Sequence, residues 1–131
     1  MKPGTTPRLA FSVAPELPSV PAARQRVVAA LHRMGLSSVE EGALLTSELV
    51  SNAVEHAVTD VIEVRVSEGP SLVRVEVQDQ DQRMPARRSA ALETLRGRGL
   101  PILDAYAAAW GAELIPGDGK VVWFELPVHR G

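Results

Sequence analysis

The segment Leu44–Val58, LLTSELVSNAVEHAV, spaces its apolar residues as an amphipathic helix does. At about 100° per residue, one broad apolar face is formed by Leu45, Leu49, Val50, Ala53, Val54 and Ala57. A carboxylate, a carboxamide and an imidazole follow one another at intervals of four residues on the remaining side, at Glu48, Asn52 and His56. This polar stripe is either the solvated face of an ordinary core helix or one wall of a binding site, and the segment alone leaves both interpretations open.

Length and composition indicate one globular domain. The chain has 131 residues, of which 45% are apolar and 23% charged, and this is long enough to bury a core. The formal net charge of -2 gives no reason to expect a nucleic-acid partner. The absence of cysteine excludes disulfides and thiolate zinc sites. No segment has the apolar length of a membrane span, and the polar start MKPGTTPRLA is unlike a signal peptide, so we expect a cytoplasmic protein.

The N-terminal part predicts a strand followed by a helix. We expect residues 1–7 to be a flexible terminus and residues 8–131 to form a single domain. Arg8–Val13 alternates enough to predict an edge strand. A helix is predicted from Ser19, which can cap it, to about Met34, before a terminating glycine.

The central helix has its own predicted boundaries. Ser38 and Glu41 match a capping box, in which the glutamate side chain bonds back to the cap residue. The helix that begins there includes the stripe described above and is expected to end at Thr59 or Asp60.

Two antiparallel hairpins are predicted after the central helix. Val61–Ser67 and Leu72–Gln78 alternate with period two and make the first. Trp110–Ile115 and Val121–Val128 make the second, across a Pro-Gly-Asp-Gly turn, with the tryptophans expected in the core or on a sheet face. The order of strand, helix, helix, hairpin, helix and hairpin predicts an α+β fold, a two-layer sandwich of a mostly antiparallel sheet with helices on one face.

A polar segment, Asp79–Arg98, separates the hairpins and is long for a simple connection. Its arginines would either keep a loop soluble or pair with an anion such as phosphate. Gly97-Arg98-Gly99-Leu100 then opens a helix predicted over Leu100–Ala109. Paired glycines at a helix start let backbone N–H groups approach a phosphate, although glycines also serve ordinary turns.

Three separate features therefore agree with a nucleotide site. The Asn52 side-chain oxygen is a hard ligand of the kind Mg²⁺ accepts. Asp79 ends a strong strand, where its carboxylate can accept a hydrogen bond from an exocyclic amine. The glycines and arginines near residue 98 can hold phosphates.

Several motifs resemble a known superfamily. ELVSNAVEH at 48–56 resembles the N box of the GHKL ATPases, which include gyrase B, MutL and the histidine kinases. The order E-L-V-x-N-A-x-x-H, V-x-V-x-D, G-R-G-L-x-[IL]-[LV]-D, W-G and W-F-x-L-P resembles, more narrowly, the small bacterial anti-sigma factor serine/threonine kinases. The resemblance extends from about Arg8 to His129.

The resemblance implies a function and a set of site residues. It implies an ATP and Mg²⁺ site in which Asn52 coordinates Mg²⁺, Glu48 acts as or assists a general base, and Asp79 binds the adenine amine. It places the phosphates at Gly97, Arg98, Gly99 and Leu100, and gives His56 a structural or peripheral role. It also implies a sigma factor and an anti-sigma antagonist as partners, and a homodimer surface on the N-terminal strand and helix.

One motif departs from the superfamily pattern. The segment Asp79–Arg83 keeps the aspartate of D-x-G-x-G but has aspartate and arginine in place of the glycines. This departure keeps a second hypothesis open, a non-catalytic interaction module with weak or no nucleotide binding. A third, a metal-dependent hydrolase using Glu48, Glu55 and His56, is disfavoured because zinc sites prefer several His or Cys ligands.

Overall fold

The computed structural model describes residues 5–81 and 107–128 of the chain. In this part, five strands form one antiparallel sheet, with two helices packed on one of its faces. The elements are β1 (Thr6–Val13), α1 (Ser19–Arg33), α2 (Val39–His56), β2 (Ile62–Glu68), β3 (Leu72–Asp79), β4 (Ala109–Leu114) and β5 (Lys120–Pro127). The strand order is β1-β2-β3-β5-β4, so β1 is an edge strand as expected and β5 lies between β3 and β4. The α+β prediction is confirmed.

The core lies between the helices and one face of the sheet. Period-two alternation places one residue of every strand in a cross-strand row on this inner face, formed by Leu9, Val66, Val75, Phe124 and Trp110. The three central members of the row are fully buried, and the two outer members pack against the core. The prediction that Trp110 lies in the core or on a sheet face is therefore confirmed, since this residue completes the row on the edge strand.

The outer face of the sheet has charged residues that pair with one another. The Arg74 guanidinium lies 3.9 Å from the centre of the Trp123 ring and donates a hydrogen bond of 2.9 Å to Glu125. The ring in turn covers Gly111, where an added Cβ would lie 2.7 Å from Trp123 Cζ2. Arg74 is largely covered by these contacts, with 12% of its side chain exposed.

The helices differ from the prediction mainly at their ends. Neither predicted cap bond forms: Ser19 is the first residue of α1, and the buried Ser38 hydroxyl at the start of α2 has no hydrogen-bond partner within residues 5–81 and 107–128. Gly35 has φ +74 and ends α1 as expected. The prediction that α2 ends at Thr59 or Asp60 is wrong, because Ala57 is extended and the chain leaves the helix after His56.

The predicted helix over Leu100–Ala109 falls mostly outside the described residues. Its predicted end is wrong, because β4 begins at Ala109. The preceding Ala108 N–H already donates to the Glu125 carbonyl of β5, at 2.8 Å, and so continues the strand pairing. The Gly97, Arg98, Gly99 and Leu100 predictions lie outside the described residues.

Candidate functional site

The polar stripe of α2 is half-buried along its inner part and exposed at its C-terminal end. Glu48 and Asn52 are half-buried, whereas His56 is exposed. The His56 Nε2 atom lies 3.5 Å from Glu55 Oε2, so the imidazole pairs with its neighbour along the helix. This placement agrees with a peripheral role for His56 and leaves Glu48 and Asn52 as the inner part of the stripe.

The Asn52 amide is the most informative atom group on this helix. Its Nδ2 atom is buried and has no hydrogen-bond partner among the described residues. A buried donor left unpaired costs about 1–3 kcal/mol of stability. The hydroxyls of Ser38 and Thr46, beside and on the same helix, are likewise buried without a partner among the described residues, so the Asn52 amide is a group that a polar ligand could satisfy. The two amide ends can exchange places by a flip, so this position can equally present the side-chain oxygen.

The donor set at this position fits Mg²⁺ held together with a nucleotide. The carboxamide and carboxylate of Asn52 and Glu48 offer oxygen atoms, which Mg²⁺ prefers. Within residues 5–81 and 107–128, no group of three or more His, Asp or Glu side chains is placed to hold a metal ion. These residues therefore contain no ligand cluster that supports the hypothesis of a zinc hydrolase. Mg²⁺ usually takes few protein ligands and completes its shell with phosphates and water, so Asn52 fits this kind of site.

Asp79 ends β3 as a buried carboxylate with two protein partners. Only 4% of this residue is exposed. Its Oδ1 atom accepts the Asp81 N–H at 2.8 Å, and its Oδ2 atom lies 3.5 Å from Lys120 Nζ. Burial raises the pKa of Asp79 above the ordinary value, and the neighbouring Lys120 ammonium opposes that rise. The carboxylate is thus held in place at the strand end, where an amine donor could meet it.

The segment after β3 is bonded to the segment after α2. The Val58 N–H donates to Asp81 Oδ2 at 3.1 Å, and the Gln80 N–H donates to Thr59 Oγ1 at 2.9 Å. The Asp60 N–H donates in return to Gln80 Oε1, at 2.9 Å. These bonds hold the end of the helix that bears Asn52 against the end of the strand that bears Asp79. They also explain the early end of α2, because Asp81 satisfies the Val58 N–H that a longer helix would have used internally.

Asp81 occupies the position of the first glycine in the D-x-G-x-G pattern. Every described non-glycine residue has a negative φ, so Asp81 follows the turn without left-handed backbone strain. Its carboxylate is buried and makes the bond to Val58 described above. The loss of this glycine therefore changes what the loop is bonded to, and does not strain its backbone.

Lys120 lies at the site, although no motif in the sequence predicted it there. It is the first residue of β5, directly opposite Asp79 in the register with β3. The preceding Gly119 has φ +86, and an added Cβ there would overlap the Asp79 carbonyl oxygen. The sequence contains one indication of its position, because Lys120 follows immediately after the Gly-Asp-Gly turn and must therefore lie at the start of the next strand. Sequence alone did not show that β5 pairs with β3.

The ends of α2 and β3 offer two kinds of binding chemistry, one at Asp79 and one at Asn52. An amine would meet the Asp79 carboxylate, and an oxygen-liganded cation would meet the Asn52 amide.

No helix in the described ranges combines the length and the apolar character needed to cross a bilayer.

Comparison with known proteins supplies the family. A family model for the histidine kinase-like ATPase domain matches residues 12–125. The match spans most of the chain and includes α2, β3 and most of β5, the elements that carry Asn52, Asp79 and Lys120. No curated protein is similar enough to this chain to count as a match.

Proposed function

The chain belongs to the histidine kinase-like ATPase domain family, within the GHKL superfamily, and from this premise we propose that it is a regulatory protein that binds ATP with Mg²⁺. The observation that carries the proposal is the buried Asn52 amide without a partner among the described residues, at the N-box position of α2. An unpaired buried amide costs stability in a helix that only packs, whereas beside a nucleotide its oxygen can bind a cation and its N–H groups can donate to phosphate oxygens.

The chain's own residues divide the binding task. The Asp79 carboxylate accepts a hydrogen bond from the exocyclic amine of adenine, and its buried position makes that bond strong. The Asn52 oxygen would hold Mg²⁺, and Glu48, one turn earlier on the same face, would be free to act as or assist a general base. When bound, Mg²⁺ would neutralise the charge of the nucleotide phosphates.

The finer proposal is serine/threonine kinase activity toward an anti-sigma antagonist, in a protein that also binds a sigma factor. The order of the motifs along the chain supports it. In the transfer, Glu48 takes the proton of the acceptor hydroxyl. The hydroxyl oxygen then bonds to the γ-phosphorus of ATP, the bond from that phosphorus to the bridging oxygen breaks, and ADP leaves with the electron pair.

Calorimetric titration with ATP, with and without Mg²⁺, tests the binding proposal. In Asn52→Ala, we expect Mg²⁺-dependent affinity to fall about 10-fold or more, while urea unfolding shows no loss of stability because an unpaired buried amide has been removed. Gln25→Ala is the matched control, since it removes a carboxamide from an exposed helical position. Equal ATP affinity in the Asn52→Ala and Gln25→Ala proteins would contradict the proposal.

Phosphate transfer to a candidate antagonist protein tests the finer proposal. We expect Glu48→Gln to slow transfer about 100-fold or more, because the general base is lost, while ATP affinity stays within a few-fold of the parent. Binding without any transfer by the parent protein would instead favour the non-catalytic module. The bonded Asp81 in place of a glycine is the observation that keeps this second candidate open.

A further inference from the structure

The contact between Lys120 and Asp79 extends the candidate site beyond the residues of the recognised motifs. The two residues face each other across β5 and β3, with Nζ 3.5 Å from Oδ2. Lys120 leaves 19% of its side chain exposed, whereas the Asp79 side chain is 4% exposed. The ammonium group therefore spans from solvent to a buried carboxylate.

The surroundings of Asp79 show how the Lys120 ammonium group acts on the charge of this carboxylate. Within residues 5–81 and 107–128, the charged groups that act on Asp79 are Lys120 from β5 and Asp81 from the loop after β3. Asp81 is also an acid, and its charge disfavours ionisation of Asp79, as burial does. Lys120 is the cation that opposes both effects in this part of the chain.

The backbone places Lys120 at this carboxylate. Gly119 lies so close to the Asp79 carbonyl that no side chain fits between them, and β5 begins at the next residue. The Ile115 N–H donates to the Gly119 carbonyl at 2.8 Å and closes the turn before it. The closed turn and the paired strand therefore fix the position of Lys120 beside Asp79.

We propose that Lys120 is a positioning residue for base recognition, which keeps the Asp79 carboxylate charged and oriented so that it accepts the adenine amine of ATP. This inference rests on the proposed function. A charged acceptor forms a stronger hydrogen bond than a neutral one. A protonated Asp79 would have one oxygen that acts as a hydrogen-bond donor, and only its other oxygen would remain a full, uncharged acceptor for the amine.

The pH profile of ATP affinity distinguishes this role from a merely structural one. We expect the parent protein to bind ATP with little pH dependence of its own between about pH 6 and about pH 8. In Lys120→Gln and Lys120→Met, the pKa of Asp79 rises further. The ATP affinity of these variants should then be about 5-fold to 10-fold lower than that of the parent near pH 6 and should return toward the parent's affinity near pH 8. Protonation of ATP itself is common to all proteins and cancels in the ratio.

Two further variants complete the experiment. Lys120→Arg restores the positive charge and should restore the flat profile. Arg8→Met removes the cation of an exposed ion pair with Glu68 on the edge strand β1, and should leave the profile unchanged. Thermal unfolding establishes that each protein is folded, and the glutamine and methionine variants serve as alternatives if one of them is not.

The outcomes separate the two proposals. A relative affinity of Lys120→Gln that is the same at all pH values, or a failure of Lys120→Arg to restore the profile, would overturn this inference alone. Absence of ATP binding by the parent protein would overturn the proposed function and this inference with it. An acid-sensitive profile in the neutral variants, restored by arginine, would support the inference.

Discussion

The most direct structural prediction concerns the two glycines of the β4–β5 turn. Gly117 and Gly119 have similar backbone angles, φ +78 and φ +86. Their surroundings differ: an added Cβ at Gly117 meets nothing within 4 Å, whereas one at Gly119 would overlap the Asp79 carbonyl oxygen. The pair of alanine variants therefore separates the cost of the backbone angle from the cost of the close approach.

The expected magnitudes follow from these two terms. A left-handed φ in a residue with a side chain costs about 1–2 kcal/mol, and this term applies to both variants. Gly119→Ala must in addition move β3 and β5 apart at Asp79, which adds an overpacking cost of about 1–3 kcal/mol. The entropy that alanine removes from the unfolded chain is the same in both variants and cancels in the difference. We therefore expect Gly117→Ala to lose about 1–2 kcal/mol and Gly119→Ala about 2–5 kcal/mol.

Urea unfolding followed by far-ultraviolet circular dichroism measures both free energies, and calorimetric titration measures ATP affinity. Because the added methyl group displaces the backbone of Asp79, Gly119→Ala should also weaken ATP binding, whereas Gly117→Ala should bind as the parent does. Equal destabilisation by the two variants would refute the close approach. A destabilised Gly119→Ala protein with unchanged ATP affinity would refute the link between this turn and the base-binding carboxylate.

Two further predictions concern charge. Because its folded-state pKa is raised, Asp79 contributes stability that is fully present below the ordinary pKa of 3.8 and is lost as pH rises through the raised pKa. Urea unfolding at several pH values should therefore show the parent losing stability relative to Asp79→Asn in this pH window. A gain in stability relative to Asp79→Asn would contradict the assignment. Arg74→Met should cost about 1–3 kcal/mol in urea unfolding, because the guanidinium is largely covered and bonded to the buried Glu125. The control Arg8→Met removes a half-exposed cation and should cost less than about 1 kcal/mol; similar losses would show that burial does not matter here.

The elements of the fold follow from local patterns in the sequence. Alternation over Val61–Ser67 and Leu72–Gln78 and the turn at Gly117 and Gly119 predicted the strands, and the helical stripe of Leu44–Val58 predicted α2. These patterns succeed because the period of burial is set by the geometry of a single helix or strand. Helix ends were predicted less well: Asp81 replaces an internal partner of α2, and this acceptor is distant in sequence.

The candidate site also has features that local sequence patterns predict and features that they do not. Glu48 and Asn52 share a helical face by spacing alone, and Asp79 follows a recognisable strand, so the chemistry of these three side chains could be inferred from the sequence. The burial of the Asn52 amide and the pairing of Lys120 with Asp79 could not be inferred in this way. Gly97, Arg98, Gly99 and Leu100 stay predictions.

The sequence by itself determined the period, the apolar faces and the turns, because each depends on interactions within a few neighbouring residues. Only the tertiary structure decided that β5 lies between β3 and β4, and therefore that Lys120 faces Asp79. Only the tertiary structure bonded the loop after β3 to the end of α2. The physical reason is that the environment of a side chain, with its burial and the charges around it, is set by strands and loops that pair across long sequence separations.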